Sequence, residues 1–226
     1  MNNINIMLNI LDEPLEIAGL TSIVIESKSV FARIVKDIYD YENGNQADIR
    51  LFDKKQNSLS PSDILIITDI VTFDTNSASS LKIIYKDLED AISLEPNKKI
   101  KIEYLLGEVW LAISKEAIHF ELNLSIEKIS LQSIFKAANI KIENNCESIF
   151  TKTMTILEFF KYLPKKKLLI FVNLGSYLSE EEMKTIEEYV MLKNTNVLLI
   201  DNHVFPISKQ TIVDEDFFIM HKAQKK

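Results

Sequence analysis

The pair Lys28-Ser29 is the first place where residue types and spacing could support chemistry. It follows the apolar run Ser22–Ile25 and precedes a helical pattern that starts at Val30. A strand, a loop and a helix that carries Lys-Ser at its start is the order of a phosphate-binding loop, G-x-x-x-x-G-K-[ST]. The glycines are missing here, because Gly19 is followed by no glycine before Gly44. Glycine lets backbone N–H groups converge on a phosphate, so the pattern favours an ordinary core strand that turns into a helix.

A second feature of nucleotide hydrolases, a carboxylate at the end of a buried strand, is also altered. The lysines Lys165–Lys167 precede the apolar run Leu168–Val172, which predicts a strand buried on both faces. In a hydrolase such a strand ends in Asp or Glu, which holds the magnesium of the nucleotide, whereas the next residue here is Asn173. We therefore predict no bound nucleotide and no enzymatic activity, and an active nucleotide hydrolase is the least favoured function.

Other catalytic patterns are also missing from the sequence. The histidines His119, His203 and His221 are far apart and belong to no H-E-x-x-H or G-x-S-x-G motif. The single cysteine, Cys146, cannot form an internal disulfide and has no metal-ligand spacing to another Cys or His. We interpret these residues as core or surface positions.

The composition is typical of a globular protein, with 46% hydrophobic and 26% charged residues in a chain of 226. No apolar run approaches the roughly 18 residues of a membrane-spanning helix, and the N-terminus lacks a basic segment followed by an apolar one. We therefore expect a cytoplasmic protein without membrane contact. The net charge of −7 argues against a uniformly basic coat, but 26 Lys and Arg residues are enough for a local basic patch.

The hydrophobic periodicity changes twice along the chain, from strand-like to helical and back. This order predicts an α/β domain built from residues 1–75 and 164–226, with an α-helical domain, residues 76–163, inserted between them. Strands are predicted near 4–10, 15–18, 22–25, 51–52, 64–67, 167–172, 196–201 and 217–220, and helices near 30–43, 81–92, 102–120, 130–138, 149–160 and 179–193.

Lysines recur in the loops and helices around these elements and could form a basic face. On spacing alone, a solvated lysine surface is the favoured interpretation, and a basic face is the alternative. The lysines concerned are Lys54, Lys55, Lys128, Lys136, Lys141, Lys152, Lys161 and Lys165–Lys167.

Several short segments together closely resemble the Csn-two family, the small adaptation proteins of type II-A CRISPR systems. The resemblance spans nearly the whole chain in the same order and is loosest in the helical middle. The segments that carry it are Leu11–Pro14, Val30-Phe31 with Ile34-Val35, Phe52-Asp53, Ile67–Ile70, Phe73-Asp74 with Asn76-Ser77, Phe160–Leu163, Lys165–Asn173 and Asp214–Phe218.

The resemblance implies a fold and a function. The family has a head domain similar to P-loop ATPases with a degenerate nucleotide site, together with an α-helical leg domain. Four subunits form a homotetrameric ring around double-stranded DNA, bind DNA ends and assist spacer acquisition beside the CRISPR integrase proteins and the effector nuclease. A basic lumen within an acidic outer surface would reconcile DNA binding with the negative net charge.

The resemblance also ranks the lysines as DNA contacts. Lys136 comes first, because the amphipathic segment Leu131–Lys136 resembles the family's pattern. The others follow in the order Lys141 and Lys152, then Lys54, Lys55 and Lys161. A protein-binding adaptor that scaffolds the adaptation complex without touching DNA is the alternative function.

Family members bind calcium through an acidic cluster. The corresponding stretch here offers Glu121, Asn123 and Glu127 as oxygen ligands, but Lys128 would oppose a divalent ion. Calcium takes about six to eight oxygens, so an incomplete cluster makes Ca²⁺ a doubtful cofactor.

Overall fold

The computed structural model of the chain describes residues 3–143 and 147–223, so that Cys146 lies outside the described residues. Contacts divide the described chain into two compact units. The α/β unit contains residues 3–73 and 147–223, and the helical unit contains Asp74–Glu143.

The described residues form nine strands and six α-helices. In chain order they are β1 (Ile4–Leu8), β2 (Leu15–Ile17), β3 (Leu20–Ile25), α1 (Lys28–Glu42), β4 (Ile49–Asp53), β5 (Ile64–Ile67), α2 (Ala78–Ser93), α3 (Pro96–Ile118), α4 (Leu131–Ala137), α5 (Ile149–Phe160), β6 (Leu168–Val172), α6 (Glu180–Leu192), β7 (Val197–Asp201), β8 (Lys209–Val213) and β9 (Ile219–Ala223).

The larger sheet of the α/β unit has the strand order β5-β6-β7-β3-β8-β9. Its first five strands are parallel, and β9 pairs antiparallel with β8. All residues of β3, β6 and β7 are buried, which explains their nearly continuous apolar sequences. The prediction of an α/β fold is confirmed, and the structure adds that the larger sheet is mostly parallel.

The smaller sheet has the order β2-β1-β4 and is antiparallel throughout. The alternation of Ile4, Ile6 and Leu8 places these three side chains in the core that also receives Ile34 and Ile38 of α1. This arrangement confirms the two strands predicted at the start of the chain, which pair as a hairpin, and the helix after β3.

The helical unit has a small core of its own. Tyr85 of α2 packs against Leu131 and Phe135 of α4, and its hydroxyl donates a hydrogen bond of 2.8 Å to the carbonyl oxygen of Ile140. Ser130, the first residue of the helix predicted near 130–138, caps α4 by accepting from the N–H of Ser133.

The two units divide at different residues from the predicted domains. Helix α5 was predicted within the helical domain 76–163, whereas by contacts it belongs to the α/β unit, where it packs against α6. Its side chains Ile156, Leu157 and Phe160 are buried. Periodicity predicts that this segment is a helix, but not against which core the helix packs.

The predicted helices and strands are otherwise found close to their expected positions, and β8 is the strand that the sequence did not predict. Its residues Gln210 and Thr211 are polar but buried, so that the run has no clear apolar pattern. None of the described helices has the length and apolar character needed to cross a membrane.

Candidate nucleic-acid interface

The carboxyl ends of β3, β6 and β7 meet at one edge of the parallel sheet, which is where ligands bind in folds of this kind. Only Glu26 and Ser27 join the end of β3 to the start of α1. The N–H of Glu26 donates to the carbonyl oxygen of Val213 on the neighbouring strand, at 3.0 Å. A connection of this length has no room for the loop that surrounds a phosphate in the G-x-x-x-x-G-K-[ST] motif.

Asn173 follows β6 at the same edge. Its backbone is in the left-handed region, with φ 57°, and its N–H donates to the carbonyl oxygen of Ile200 on β7. Its side-chain oxygen Oδ1 is buried and has no hydrogen-bond partner among the described residues. Asn173 therefore supplies no negative charge at this edge.

Asp201, at the end of β7, is the acidic residue of this edge that sequence reasoning missed. It pairs in register with Val24 of β3 and is completely buried. Its Oδ1 accepts a hydrogen bond of 3.0 Å from the N–H of Gly175, while its Oδ2 has no partner among the described residues. The signal was present in the sequence, because the apolar run Val197–Ile200 ends in this aspartate.

The surroundings of Asp201 exclude the solvent that a hydrated magnesium ion needs. Burial raises the pKa of Asp201 to about 7, and the hydrogen bond from Gly175 opposes the shift only partly. Phe205 is also buried, and its ring packs so closely on Gly175 that a Cβ placed there would lie 2.5 Å from Phe205 Cδ1. This edge of the sheet thus contains a carboxyl group, but the surrounding side chains bury it.

Among the predicted DNA contacts, Lys152 is the one whose side chain is hydrogen-bonded to the backbone of the described chain. It lies in the first turn of α5, is half-buried, and donates a hydrogen bond of 2.5 Å from Nζ to the carbonyl oxygen of Val71. Together with hydrogen bonds from Thr72, its positive charge helps to lower the pKa of Asp69. A charge reversal at Lys152 would therefore disturb the α/β unit as well as any DNA contact.

Lys161 lies at the other end of α5, about 13 Å farther along the helix axis. It lines a cleft of about 480 Å³, hereafter the basic cleft, at the opposite sheet edge, where β6 and β7 begin. The polar and charged side chains of the basic cleft belong to Asp53, Asn57, Ser58, Lys161, Lys166, Lys167, Lys193, Asn194, Thr195 and Asn196.

Lys54 and Lys55 are exposed in the turn that supplies Asp53, Asn57 and Ser58 to the basic cleft. The structure therefore brings Lys161 together with this turn, although the two are more than a hundred residues apart in the sequence. Lys54 Nζ lies 3.9 Å from a carboxylate oxygen of Glu16, and both side chains are largely exposed. A pair of this kind contributes little to stability and leaves the lysine able to contact DNA.

Lys136 and Lys141 belong to the helical unit. Lys136 is exposed in the last turn of α4, and Lys141 is exposed in the segment after it. Their neighbours Phe135 and Ile140 are held in or against the small core, so both lysines project from a fixed backbone.

The candidate calcium ligands Glu121, Asn123 and Glu127 are all exposed in the irregular segment after α3. Across residues 3–143 and 147–223, no group of three or more His, Cys, Asp or Glu side chains could hold a metal ion. The three predicted side chains alone supply fewer oxygens than the roughly six to eight that calcium takes, so they do not form a complete site.

The fold and these surfaces define a mixed α/β protein whose candidate ligand edge is enclosed and in which five of the six predicted DNA lysines are exposed, while Lys152 is half-buried. Comparison with known proteins identifies the family. The family model described as CRISPR-associated protein (Cas_Csn2) matches residues 39–217. The chain belongs to the CRISPR-associated Csn2 family.

Individual relatives agree with this assignment. The chain is 40% identical over 214 residues to CRISPR-associated protein Csn2 of Enterococcus faecalis, covering 95% of this chain and 97% of the relative. It is 36% identical over 217 residues to CRISPR-associated protein Csn2 of Streptococcus agalactiae, covering 96% and 97% respectively. The crystal structure of Stu0660 of Streptococcus thermophilus has a similar fold, with a TM-score of 0.62, 14% identity and coverage of 97% of this chain and 76% of that chain.

Proposed function

We propose that the chain is a non-enzymatic subunit that binds double-stranded DNA ends and assists CRISPR spacer acquisition. It acts as a homotetrameric ring beside the CRISPR integrase proteins and the effector nuclease. The observation that carries the proposal is membership of the Csn2 family over nearly the whole chain. The exposed lysines of both units are suitable contacts for phosphates, because their ammonium groups neutralise charge without reading bases.

The surface of α3 supports self-association. No residue of this 23-residue helix is buried, although Leu105, Val109 and Ile113 recur at four-residue steps on one face and are each about half exposed. A helix with an apolar face open to water is stabilised when that face is covered. A second copy of the chain is the partner that the ring requires.

The enclosed ligand edge supports a scaffold without nucleotide chemistry. The two-residue connection between β3 and α1 replaces the phosphate loop, Asn173 replaces a carboxylate, and Asp201 is buried. We interpret the α/β unit as an ATPase-like head with a degenerate nucleotide site, and the helical unit as the leg. Purified protein is expected to show no ATP turnover, and turnover above background would contradict this interpretation.

The test of DNA binding compares linear duplexes with closed circles across salt concentrations. Linear DNA should bind more tightly, because a ring threads onto ends, and the affinity should fall steeply as salt rises. The double variant Lys136→Glu with Lys141→Glu should lose at least about ten-fold in affinity, because each contact becomes a repulsion.

The matched control is Lys184→Glu with Lys209→Glu, which changes the net charge equally at exposed positions outside the predicted contacts. Equal weakening by both double variants would assign the effect to net charge and overturn the choice of lysines. Binding of duplex DNA that is weak at every salt concentration would overturn the DNA-binding function itself.

One observation favours the alternative of a protein-binding adaptor. Phe217, Phe218 and Met220 are substantially exposed at the β8–β9 turn and on β9, the outermost strand of its sheet. Exposed apolar side chains beside an edge strand are a typical docking surface for another protein. An adaptor would retain its adaptation partners while showing no salt-dependent duplex binding.

A further inference from the structure

The basic cleft concentrates positive charge in a protein of net charge −7. Its lining contains the lysines Lys161, Lys166, Lys167 and Lys193 and a single carboxylate, Asp53. These lysines come from the end of α5, the segment before β6 and the end of α6. Tertiary packing therefore assembles them.

Two of the four lysines already interact with a carboxylate or with a backbone carbonyl group. Lys167 Nζ lies 3.0 Å from a carboxylate oxygen of Asp63. Lys166 donates to the carbonyl oxygen of Ile64, and its pKa is lowered by burial although Glu42 lies near enough to oppose the shift. These two lysines shape the wall of the cleft rather than offering free charge.

Lys161 and Lys193 differ from Lys166 and Lys167 in their surroundings. Among the described residues neither forms an ion pair with a carboxylate. Instead both lie over the ring of Tyr189, with Nζ at 4.8 Å from the ring centroid for Lys161 and 5.9 Å for Lys193. Lys161 also donates to the Tyr189 hydroxyl at 2.5 Å. The side chain of Tyr189 thus lies close to the ammonium groups of both lysines.

The carboxylate of Asp53 is hydrogen-bonded within its own turn. It accepts hydrogen bonds from the backbone N–H groups of Lys55 and Asn57 and from the Asn57 side chain, and the Asn57 side chain is the largest cause of its lowered pKa. Asp53 therefore orients the turn that carries Lys54 and Lys55 and does not neutralise Lys161 or Lys193 by direct contact.

Two uncompensated ammonium groups match a dianion. A terminal phosphomonoester carries a charge of about −1.5 to −2 at neutral pH, whereas each backbone phosphodiester carries one negative charge. Phe160, the aromatic residue in the lining of the cleft, is buried and offers no face on which a base could stack. Recognition in the cleft would thus depend on charge.

The geometry points to the basic cleft as a site for the terminal 5′-phosphate of a DNA end, held by Lys161 and Lys193. This inference rests on the proposed function, since it names the group of the DNA end that the α/β unit recognises. It adds a contact that distinguishes an end from the interior of a duplex.

The experiment uses one blunt duplex prepared with 5′-phosphate or with 5′-hydroxyl ends, at constant ionic strength. Wild-type protein should bind the phosphorylated duplex about five-fold more tightly, the size expected for one or two exposed ion pairs. The variant Lys161→Gln with Lys193→Gln should bind both duplexes equally. The matched variant Lys184→Gln with Lys209→Gln should keep the preference.

The pH dependence gives a second readout that a structural role would not change. The preference should increase between pH 5 and pH 7.5, because the second pKa of a phosphomonoester is about 6. The conservative variant Lys161→Arg with Lys193→Arg should retain it, and equal melting temperatures will show that the variants fold.

Two results would overturn the inference in distinguishable ways. Equal, salt-dependent binding of both duplexes by wild-type protein removes the end-phosphate site and leaves DNA binding intact. Failure of the wild-type protein to bind either duplex would overturn the proposed function. The cleft would then be tested by itself, by measuring the melting temperature of the protein with inorganic phosphate. A rise in melting temperature with phosphate that the Lys161→Gln, Lys193→Gln variant lacks would show free phosphate, not a DNA end, as the ligand.

Discussion

At the scale of single residues, the ligand edge of the sheet differs from a hydrolase site by burial more than by composition. Asn173 lacks the expected charge, but its neighbour Asp201 has a carboxyl group at the end of an apolar strand. The fold encloses that group beneath the Gly175–Phe205 contact and provides it with one hydrogen bond. A buried carboxyl group that accepts only one hydrogen bond favours its protonated form, so its ionisation lowers the stability of the folded chain.

The raised pKa of Asp201 predicts a pH dependence of folding. An acid with a pKa of 3.8 when unfolded and about 7 when folded binds its proton more tightly in the folded chain. Stability should therefore fall as pH rises from about 4 to about 7 and stay lower above that range. Asp201→Asn, whose amide oxygen can still accept from Gly175, should raise the free energy of unfolding by about 2 to 4 kcal/mol at pH 8 and change it little at pH 4.

Denaturant unfolding at pH 4, 6 and 8 measures this effect. Glu215→Gln, which removes an exposed acid from the same unit, serves as the control and should follow the wild-type pH profile. An unchanged profile for Asp201→Asn would show that the carboxyl group is not enclosed as described.

Replacement of glycine by alanine is expected to have opposite effects on stability at two positions. Gly175→Ala should destabilise the protein by about 1 to 3 kcal/mol, because the new Cβ would overlap the buried ring of Phe205. Gly107→Ala should stabilise it by up to about 1 kcal/mol, because Gly107 lies within α3 and, apart from its chain neighbours and the backbone of its own helix, no described atom lies within 4 Å of its Cβ position. Thermal unfolding of both variants tests the pair, and equal shifts would contradict it.

At the scale of elements, the structure shows how a strand-loop-helix order can persist without a phosphate loop. Strand β3 and helix α1 stand in the expected order, and the two residues between them carry the chain directly into the helix. The glycine-free sequence predicted that the cradle is lost. The length of the connection depends on where the strand ends and where the helix begins, and local sequence patterns do not fix these two positions.

Helix α3 carries the prediction that belongs to this scale. Leu105→Gln with Val109→Gln should weaken self-association at least about ten-fold, because the substitutions make the exposed apolar face polar. The control, Glu108→Gln with Glu116→Gln, introduces the same side chain at exposed polar positions of the same helix. Light scattering across a range of protein concentrations gives the mass of each variant. An unchanged mass for the apolar-face variant would place the subunit interface elsewhere.

At the scale of the whole molecule, the predicted DNA lysines are spread over both units rather than gathered in one of them. The six predicted DNA lysines divide between the units, with Lys136 and Lys141 in the helical unit and the other four in the α/β unit. Lys161 shares the basic cleft with lysines that the DNA prediction left out, while Lys152 is bound to the backbone of its own unit.

Calcium provides a prediction for the assembled protein. Because Glu121, Asn123 and Glu127 are too few oxygen ligands on their own, we expect equal melting temperatures in calcium and in chelator. Magnesium at the same concentration controls for ionic strength. A rise specific to calcium, lost in Glu121→Gln with Glu127→Gln, would instead assign the site to these residues.

The sequence by itself determined the local elements and the absence of a glycine-rich phosphate-binding motif. Helix α1, helix α6 with its Ser179 cap, and strands β6 and β7 follow from apolar spacing and capping residues, which act over a few neighbouring positions. The absence of glycines between Gly19 and Gly44 was likewise visible without coordinates.

Only the tertiary structure decided which distant residues meet. It assigned α5 to the α/β unit, enclosed Asp201 beneath Phe205, and placed Lys161 and Lys193 over the ring of Tyr189. Strand pairing and helix packing join segments separated by tens or hundreds of residues, and local periodicity does not specify those partners. Burial and pairing of charge depend on these long-range contacts, so the state of each ionisable side chain emerges only from the folded chain.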